Sequence, residues 1–335
     1  MVIPAPRTSA DNPPEVLAYP DGLDDAGRAH AASFTPDATE RTYEAGYRSW
    51  KRYCADRSLP WQHARIGSLT AFVHQRWEDG RAPETIKTYL SGIAVRLRRD
   101  GHPVEAADVT AARRLVDAYA RRAAEDGAAD RGRGQAPALA LGELRAIVAE
   151  MDLTTLDGLR DRMVFCLGFA LAARSHELAY LRVGDVREAE EGLVVGVRVS
   201  KTGRRTVRVA YGSNPVTCPV RAWQAWRRAC GWVPMLDGTE AAVQRIHRSG
   251  ALHGQMSAKS VRAIYRRRAA AAGLELVRSH SGRAGFCTAA RTAGKDTKAI
   301  CDVSGHSPKS GQVYTYFRDP DGWKPENNAT MGIGL

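Results

Sequence analysis

Residues 279–319 read SHSGRAGFCTAARTAGKDTKAICDVSGHSPKSGQVYTYFRD, and the rest of the chain is organised around this stretch. His280 and Arg283 stand three apart, so a helix opening there puts both side chains on one face. His306 follows a glycine further on, and Tyr314 and Tyr316 come soon after it. Two imidazoles, a guanidinium and a phenol so close together point to phosphoryl-transfer chemistry. An arginine binds a phosphate bidentately, and a tyrosine can attack one covalently.

The totals of the chain agree with a polyanionic substrate. A net charge of +12 at pH 7, carried by Lys and Arg along the whole length rather than in one tail, predicts a basic surface for nucleic acid. At 335 residues the chain exceeds one average domain, so two domains with separate cores are expected. The six cysteines form no CxxC pair, which argues against a metal or disulfide framework and for idle thiols in a reducing compartment. No apolar run reaches the length of a membrane span, and the N-terminus lacks a signal peptide's apolar core. The expected location is therefore cytoplasmic.

Residues 1–33, rich in Pro, Ala and Asp, read as a mobile arm. A helix start follows at Thr35-Pro36-Asp37, with Tyr43, Tyr47, Trp50 and Cys54 as its buried stripe. A second helix carries Leu69, Phe72, Val73 and Trp77. A third runs from Pro83 through Ile86, Leu90, Ile93 and Leu97 to a stop at Gly101. A fourth, near 105–125, uses Val109, Ala112, Val116 and Tyr119. Four such helices with short connections predict a small bundle over 34–125. Its polar faces are basic, with Lys87, Arg96, Arg98 and Arg99 the leading candidates for phosphate contacts. A single charge of this kind is usually only a solvated face.

The stretch 126–137 (DGAADRGRGQAP) has no apolar pattern and reads as a linker. The second domain, from 138 to 335, opens with a helix bearing Leu141, Leu144, Ile147, Val148 and Met151. A buried helix, MVFCLGFALAA, follows over 163–173. Arg174 and Glu177 then share a helix face. They read either as a surface pair or, since Arg174 continues a buried segment, as an arginine needing an anion. From Leu193 the period changes to two, giving a β-hairpin of LVVGVRVS and TVRVAY joined by KTGRR, with Lys201 ending the first strand. A basic helix over 257–273 presents Arg262, Arg266 and Arg267, further candidates for DNA contact.

The ordered set Arg174, Lys201, His280, Arg283, His306 and a terminal tyrosine, in the local settings AARSHEL, RVSKTG, HSGRAGFCT, SGH and YFRD, resembles the tyrosine recombinases of the phage-integrase family. That resemblance spans about 34–335, strongly in the second domain and by architecture alone in the first. It implies a mainly α fold with a small antiparallel β-sheet: an N-terminal helical core-binding (SAM-like) bundle and an α+β catalytic domain. It further implies strand cleavage through a 3′-phosphotyrosine and a Holliday junction, a homotetramer assembled on two double-stranded DNA sites with inverted repeats, and a clamp of both domains around the duplex.

The chemistry asks for these residue types independently. A phosphorane-like transition state gathers negative charge that two guanidiniums, Arg174 and Arg283, can clamp. The attacking phenol must lose a proton and the leaving 5′-oxygen must gain one. By resemblance Lys201 is the general acid, His280 assists at the tyrosine, His306 donates to a non-bridging oxygen and Glu177 orients the clamp. Since the phosphotyrosine conserves bond energy, neither ATP nor a metal nor another cofactor is expected. Competing readings are a DNA-binding architectural protein of the same fold, and a type IB topoisomerase-like or hairpin-end-forming relative.

The nucleophile is the one departure from the family's spacing, because the expected position after His306 is Thr315, between two tyrosines. TQVY-type repeats of the dimer-resolution branch favour Tyr314. The downstream YFRDPDGW, similar to the Cre-like branch, favours Tyr316, and the extra residue fits in SPKSG. Tyr316 is the expected nucleophile, with Tyr314 a packing residue.

Overall fold

The computed structural model describes residues 27, 30, 37–129, 131–132, 134–200, 203–232 and 238–317. The chain divides into two compact units, 1–134 and 135–335, and the boundary falls inside the stretch read as a linker. The arm expected over 1–33 lies outside the described residues, apart from 27 and 30.

Over 37–129 the first unit holds the helices α1 (Asp37–Ala55), α2 (Ile66–Glu78), α3 (Pro83–Arg99) and α4 (Ala106–Glu125). Their apolar stripes meet in one core of Tyr47, Trp50, Leu69, Phe72, Ile86, Leu90, Ile93, Leu97, Val109 and Val116. Trp50 sits at its centre, its indole N–H donating to the Trp61 carbonyl at 2.8 Å and its ring meeting Phe72 edge-on at 5.6 Å. Helices α1 and α3 touch through backbone, and glycines allow it: a Cβ on Gly92 would lie 2.5 Å from the Tyr43 carbonyl oxygen.

In the second unit α5 (Leu141–Ala149) leads to α6 (Leu156–Ala170) and the short α7 (Ser175–Ala179). Met163, Val164, Phe165 and Leu167 of α6 are fully buried, because the second half of this helix is apolar on every side. A three-stranded antiparallel sheet follows, β1 (Val186–Ala189), β2 (Gly192–Val197) and β3 (Arg205–Ala210), in that order. Leu193 pairs with Val209 and Val195 with Val207, and all four are buried, so the period-two pattern supplies one core face. Helix α8 (Pro219–Ala229) buries Trp223 and Trp226. A two-stranded hairpin, β4 (Gln244–Ile246) and β5 (Leu252–Gln255), precedes α9 (Ala258–Ala271), α10 (Ser279–Thr292) and α11 (Thr297–Ser304). Two 3₁₀ turns, Pro308–Ser310 and Gln312–Tyr316, close the described chain.

The structure departs from the sequence reading at several points, and the buried helix expected over 163–173 ends at Ala170. Arg174 is not on a helix face: its backbone is extended (φ −82°, ψ 154°) and it caps α7 from outside. Tyr316 ends a 3₁₀ turn. Leu141 is exposed at the start of α5, off the buried stripe assigned to it. Strands β1, β4 and β5, of three or four residues each, are too short to show an alternation and went unread.

Candidate active site

Arg283 anchors the site. Its side chain is fully buried in α10, and one amino group donates to the Ala172 carbonyl at 2.7 Å. That carbonyl is offered by a turn after α6 in which Ala172 takes φ +46°, a left-handed conformation that costs a non-glycine residue free energy. The other amino group meets His306 Nε2 at 2.8 Å. The guanidinium Nε is buried with no hydrogen-bond partner among the described residues.

His306 reaches Arg283 because α11 stops two residues earlier, at Ser304. Gly305 closes that helix at φ +70°, a conformation suited to glycine, and donates to the Cys301 carbonyl at 2.7 Å. A guanidinium has only donors, so Nε2 of His306 must accept and the ring proton sits on Nδ1. There it faces Ser304 Oγ at 2.9 Å, and Ser304 is itself wholly buried. Burial, followed by the charges of Arg283, Arg174 and Arg205, holds the imidazole down at about 4. At neutral pH His306 is thus an uncharged acceptor.

Glu177 is buried and carries the second arginine. Its Oε1 accepts from the Arg174 guanidinium at 2.8 Å and its Oε2 from the Arg174 amide at 3.0 Å. Burial alone pushes its carboxyl up, but the hydrogen bond and charge of Arg205, with donors from the Arg174 amide and Ser200, outweigh that and hold it at about 2. Glu177 is therefore a fixed anion. Burial lowers the pKa of Arg283, and Arg174 is close enough for its charge to lower it further.

Of the two tyrosines, Tyr316 joins this cluster. Its ring lies 4.8 Å from that of His306, with the Arg283 guanidinium 5.6 Å from its centroid, and its carbonyl accepts from Thr288 at 2.9 Å. Tyr314 is 58% exposed and packs edge-on against Phe317. His280 is exposed on the first turn of α10, and its pKa is lowered by desolvation and by the cations Arg283, Arg174 and Arg262. Lys201 lies outside the described residues. Among the described residues no group of three His, Cys, Asp or Glu is placed to hold a metal ion.

The candidate DNA contacts have unequal surroundings. Lys87 is held by Glu84 and Asp117, Arg96 by Glu40 and Glu44, Arg99 by Glu40, and Arg267 by the buried Asp161 at 2.7 Å. Arg98 donates to the Val104 carbonyl. Arg262 and Arg266 stand exposed on α9.

Sequence reading missed Arg205, Ser200 and Ser304. By sequence Arg205 falls in the KTGRR turn, although its pairing with Val197 makes it the first residue of β3. Ser304 had only its position before Gly305 to mark it.

Comparison with known proteins gives a consistent result. The phage integrase family's sequence profile matches residues 138–320. An integrase/recombinase xerD homolog from Selenomonas ruminantium is 28% identical over 197 residues, 55% of this chain and 54% of that protein, so the chain spans about half the length of this curated relative. A lambda integrase dimer bound to a COC′ core site superposes with a TM-score of 0.57 at 15% identity, over 89% of this chain and 95% of that one. A lambda integrase tetramer bound to a Holliday junction gives 0.53 at 16% identity, over 85% and 76%.

Proposed function

Because the chain belongs to the phage integrase family, we propose that it is a site-specific DNA recombinase, one that cleaves and rejoins strands through a covalent 3′-phosphotyrosine and a Holliday junction. The observation that supports this most directly is the buried Arg283, which touches His306, lies beside Arg174 and the Tyr316 ring, and keeps an unpartnered Nε. Two neighbouring guanidiniums and a buried donor without an acceptor call for an anion with several oxygens, which a scissile phosphate supplies.

In the proposed reaction the Tyr316 oxygen attacks phosphorus, its proton passing toward His280, and the P–O5′ bond breaks as the 5′-oxygen takes a proton from Lys201. Arg174 and Arg283 hold the non-bridging oxygens more tightly as charge builds, and His306 adds a hydrogen bond there. Rejoining is the reverse, with a 5′-hydroxyl attacking the phosphotyrosine. The bond energy stays in the ester, so the steps consume no nucleotide. The substrate is double-stranded DNA bearing an inverted repeat, bound by a homotetramer on two sites, in the cytoplasm of a bacterial host or on a phage or plasmid within one. The tetramer draws support from the lambda integrase assembly on a Holliday junction.

The test is a nicked duplex built on the inverted repeat flanking the gene, scored for an SDS-resistant adduct. Wild type and Tyr314→Phe form it, while Tyr316→Phe binds the duplex and forms none. Adducts from both single variants would sink the mechanism, and the reverse pattern would move the nucleophile to Tyr314.

A further inference from the structure

One cation near the catalytic cluster has no part in the chemistry above. Arg205 opens β3, its side chain is 8% exposed, and its donors reach four separate pieces of the unit. Its Nε donates to the Val303 carbonyl on α11 at 2.7 Å. One amino group is shared between Glu177 Oε2 at 2.9 Å and the Leu171 carbonyl at the end of α6 at 3.2 Å. The other lies 3.5 Å from Ser200 Oγ, which itself donates to Glu177 Oε1 at 2.8 Å.

Each of these partners stands next to a residue of the proposed mechanism. Leu171 precedes Ala172, whose carbonyl holds Arg283, so consecutive carbonyls of one left-handed turn receive the two guanidiniums. Glu177 holds Arg174 by two bonds. Ser200 is the residue before Lys201. Val303 is three residues before His306 on the same short helix and turn.

We propose that Arg205 is a positioning residue for strand cleavage: through Glu177, Ser200 and the Leu171 and Val303 carbonyls it sets Arg174, the base of the Lys201 hairpin and His306 in one register. The inference rests on the recombinase reading of the site. A flat fork of five donors suits this task, since one rigid group reaches four acceptors lying in different directions, which an ammonium on a flexible stem cannot do. The charge has a second consequence. Arg205 is the foremost favourable partner keeping the buried Glu177 carboxyl ionised, against burial that pushes it the other way.

The experiment measures single-turnover adduct formation from pH 5.5 to 8.5 by the full chain. The probe is the nicked duplex on which wild type forms adduct, with DNA affinity and thermal unfolding measured beside it. Arg205→Met is expected to bind DNA within a few-fold of wild type yet cleave on the order of 100-fold more slowly at pH 8, the size of effect that a small misplacement of reacting groups produces. Its rate should also fall further as the pH drops, because Glu177 without its guanidinium becomes protonated in a range where wild-type Glu177 stays ionised. Arg174, Arg283, His176 and His306 also face Glu177, and Arg205 lowers both histidines as well, so the difference between the two profiles reads the loss of the Arg205 charge from Glu177 and these histidines together. Arg205→Lys should keep the wild-type profile at a reduced rate.

Wild-type rates in either variant overturn the inference, as does an unchanged profile with binding, stability and rate falling together. If Arg205→Met does not fold, Arg205→Lys decides: a lowered rate with an unshifted profile and intact binding sustains the inference, and a normal rate ends it. Absence of adduct from wild type on every flanking repeat would instead overturn the recombinase reading itself, and this inference with it.

Discussion

His306 titrates well below an ordinary histidine, and this has a consequence for stability that can be measured without DNA. Burial and the neighbouring guanidiniums lower the folded imidazole to about 4, while an unfolded histidine sits near 6.5. Between those values the unfolded chain binds more protons, so stability is full above pH 6.5 and drains away as the pH falls toward 4. A single such group is worth on the order of 3 kcal/mol across that window. His176, half-buried and also lowered by desolvation, acts in the same direction. Glu177 does not interfere, because its depressed carboxyl contributes stability that is lost only on descending from 4.5 toward 2. Chemical denaturation at pH 7 and pH 5 should therefore show a smaller loss in His306→Gln than in wild type. An equal loss in both would mean that the imidazole is not held neutral.

Helices α6 and α9 are joined by a buried charge, not by apolar contact alone. Asp161, with no exposed surface, accepts from Arg160 at 2.8 and 3.0 Å through one oxygen, and from Arg267 at 2.7 Å and Arg268 at 2.8 Å through the other. Arg160 is itself buried, so removing the carboxylate takes the acceptor from its Nε and leaves this interior cation with the half-exposed Asp157 at 2.5 Å. Asp161→Ala is expected to destabilise the second unit by roughly 3–5 kcal/mol, read from urea unfolding. Replacing Arg267, which is 59% exposed, should cost at most about 1 kcal/mol. The same tie aligns α9, so Asp161→Ala should also weaken DNA binding by displacing Arg262 and Arg266. A variant unfolding like wild type would show that the network is balanced by its own desolvation.

For the whole chain, on the recombinase reading proposed above, the surplus of 49 basic over 37 acidic residues sets how strongly salt opposes DNA binding, but not every cation contributes equally. Arg96 and Arg99 already face Glu40 and Glu44, so a phosphate must compete with carboxylates there. Arg262 and Arg266 are exposed on α9, and Arg262 lies near enough to His280 to lower its pKa. In a plot of log affinity against log salt, Arg262→Ala and Arg266→Ala should each reduce the slope by about one. Arg99→Ala should reduce it by less, since its loss also releases Glu40. The opposite ranking would move the DNA face from α9 to the first unit.

Much of the fold was legible because its signals are local. The stripes Leu69, Phe72, Val73, Trp77 and Ile86, Leu90, Ile93, Leu97 repeat at the helical period, and every one of these residues is buried. The change of period at Leu193 announced the hairpin, and the order of AARSHEL, HSGRAG and SGH placed the chain in its family. What needed three dimensions were relations between residues far apart in the chain. Arg174 and Glu177 looked like neighbours on a helix, and only the turn at Ala172 makes one cap the other. The spacing left Tyr314 and Tyr316 open, and packing against α10 and His306 puts Tyr316 in the cluster. Arg205 carries no periodic signal at all, because its acceptors come from α6, α7, the hairpin and α11. Periodicity records which face of one element is apolar. The direction of a long polar side chain, and so its partner and protonation, depends on which carbonyls and carboxylates folding brings around it.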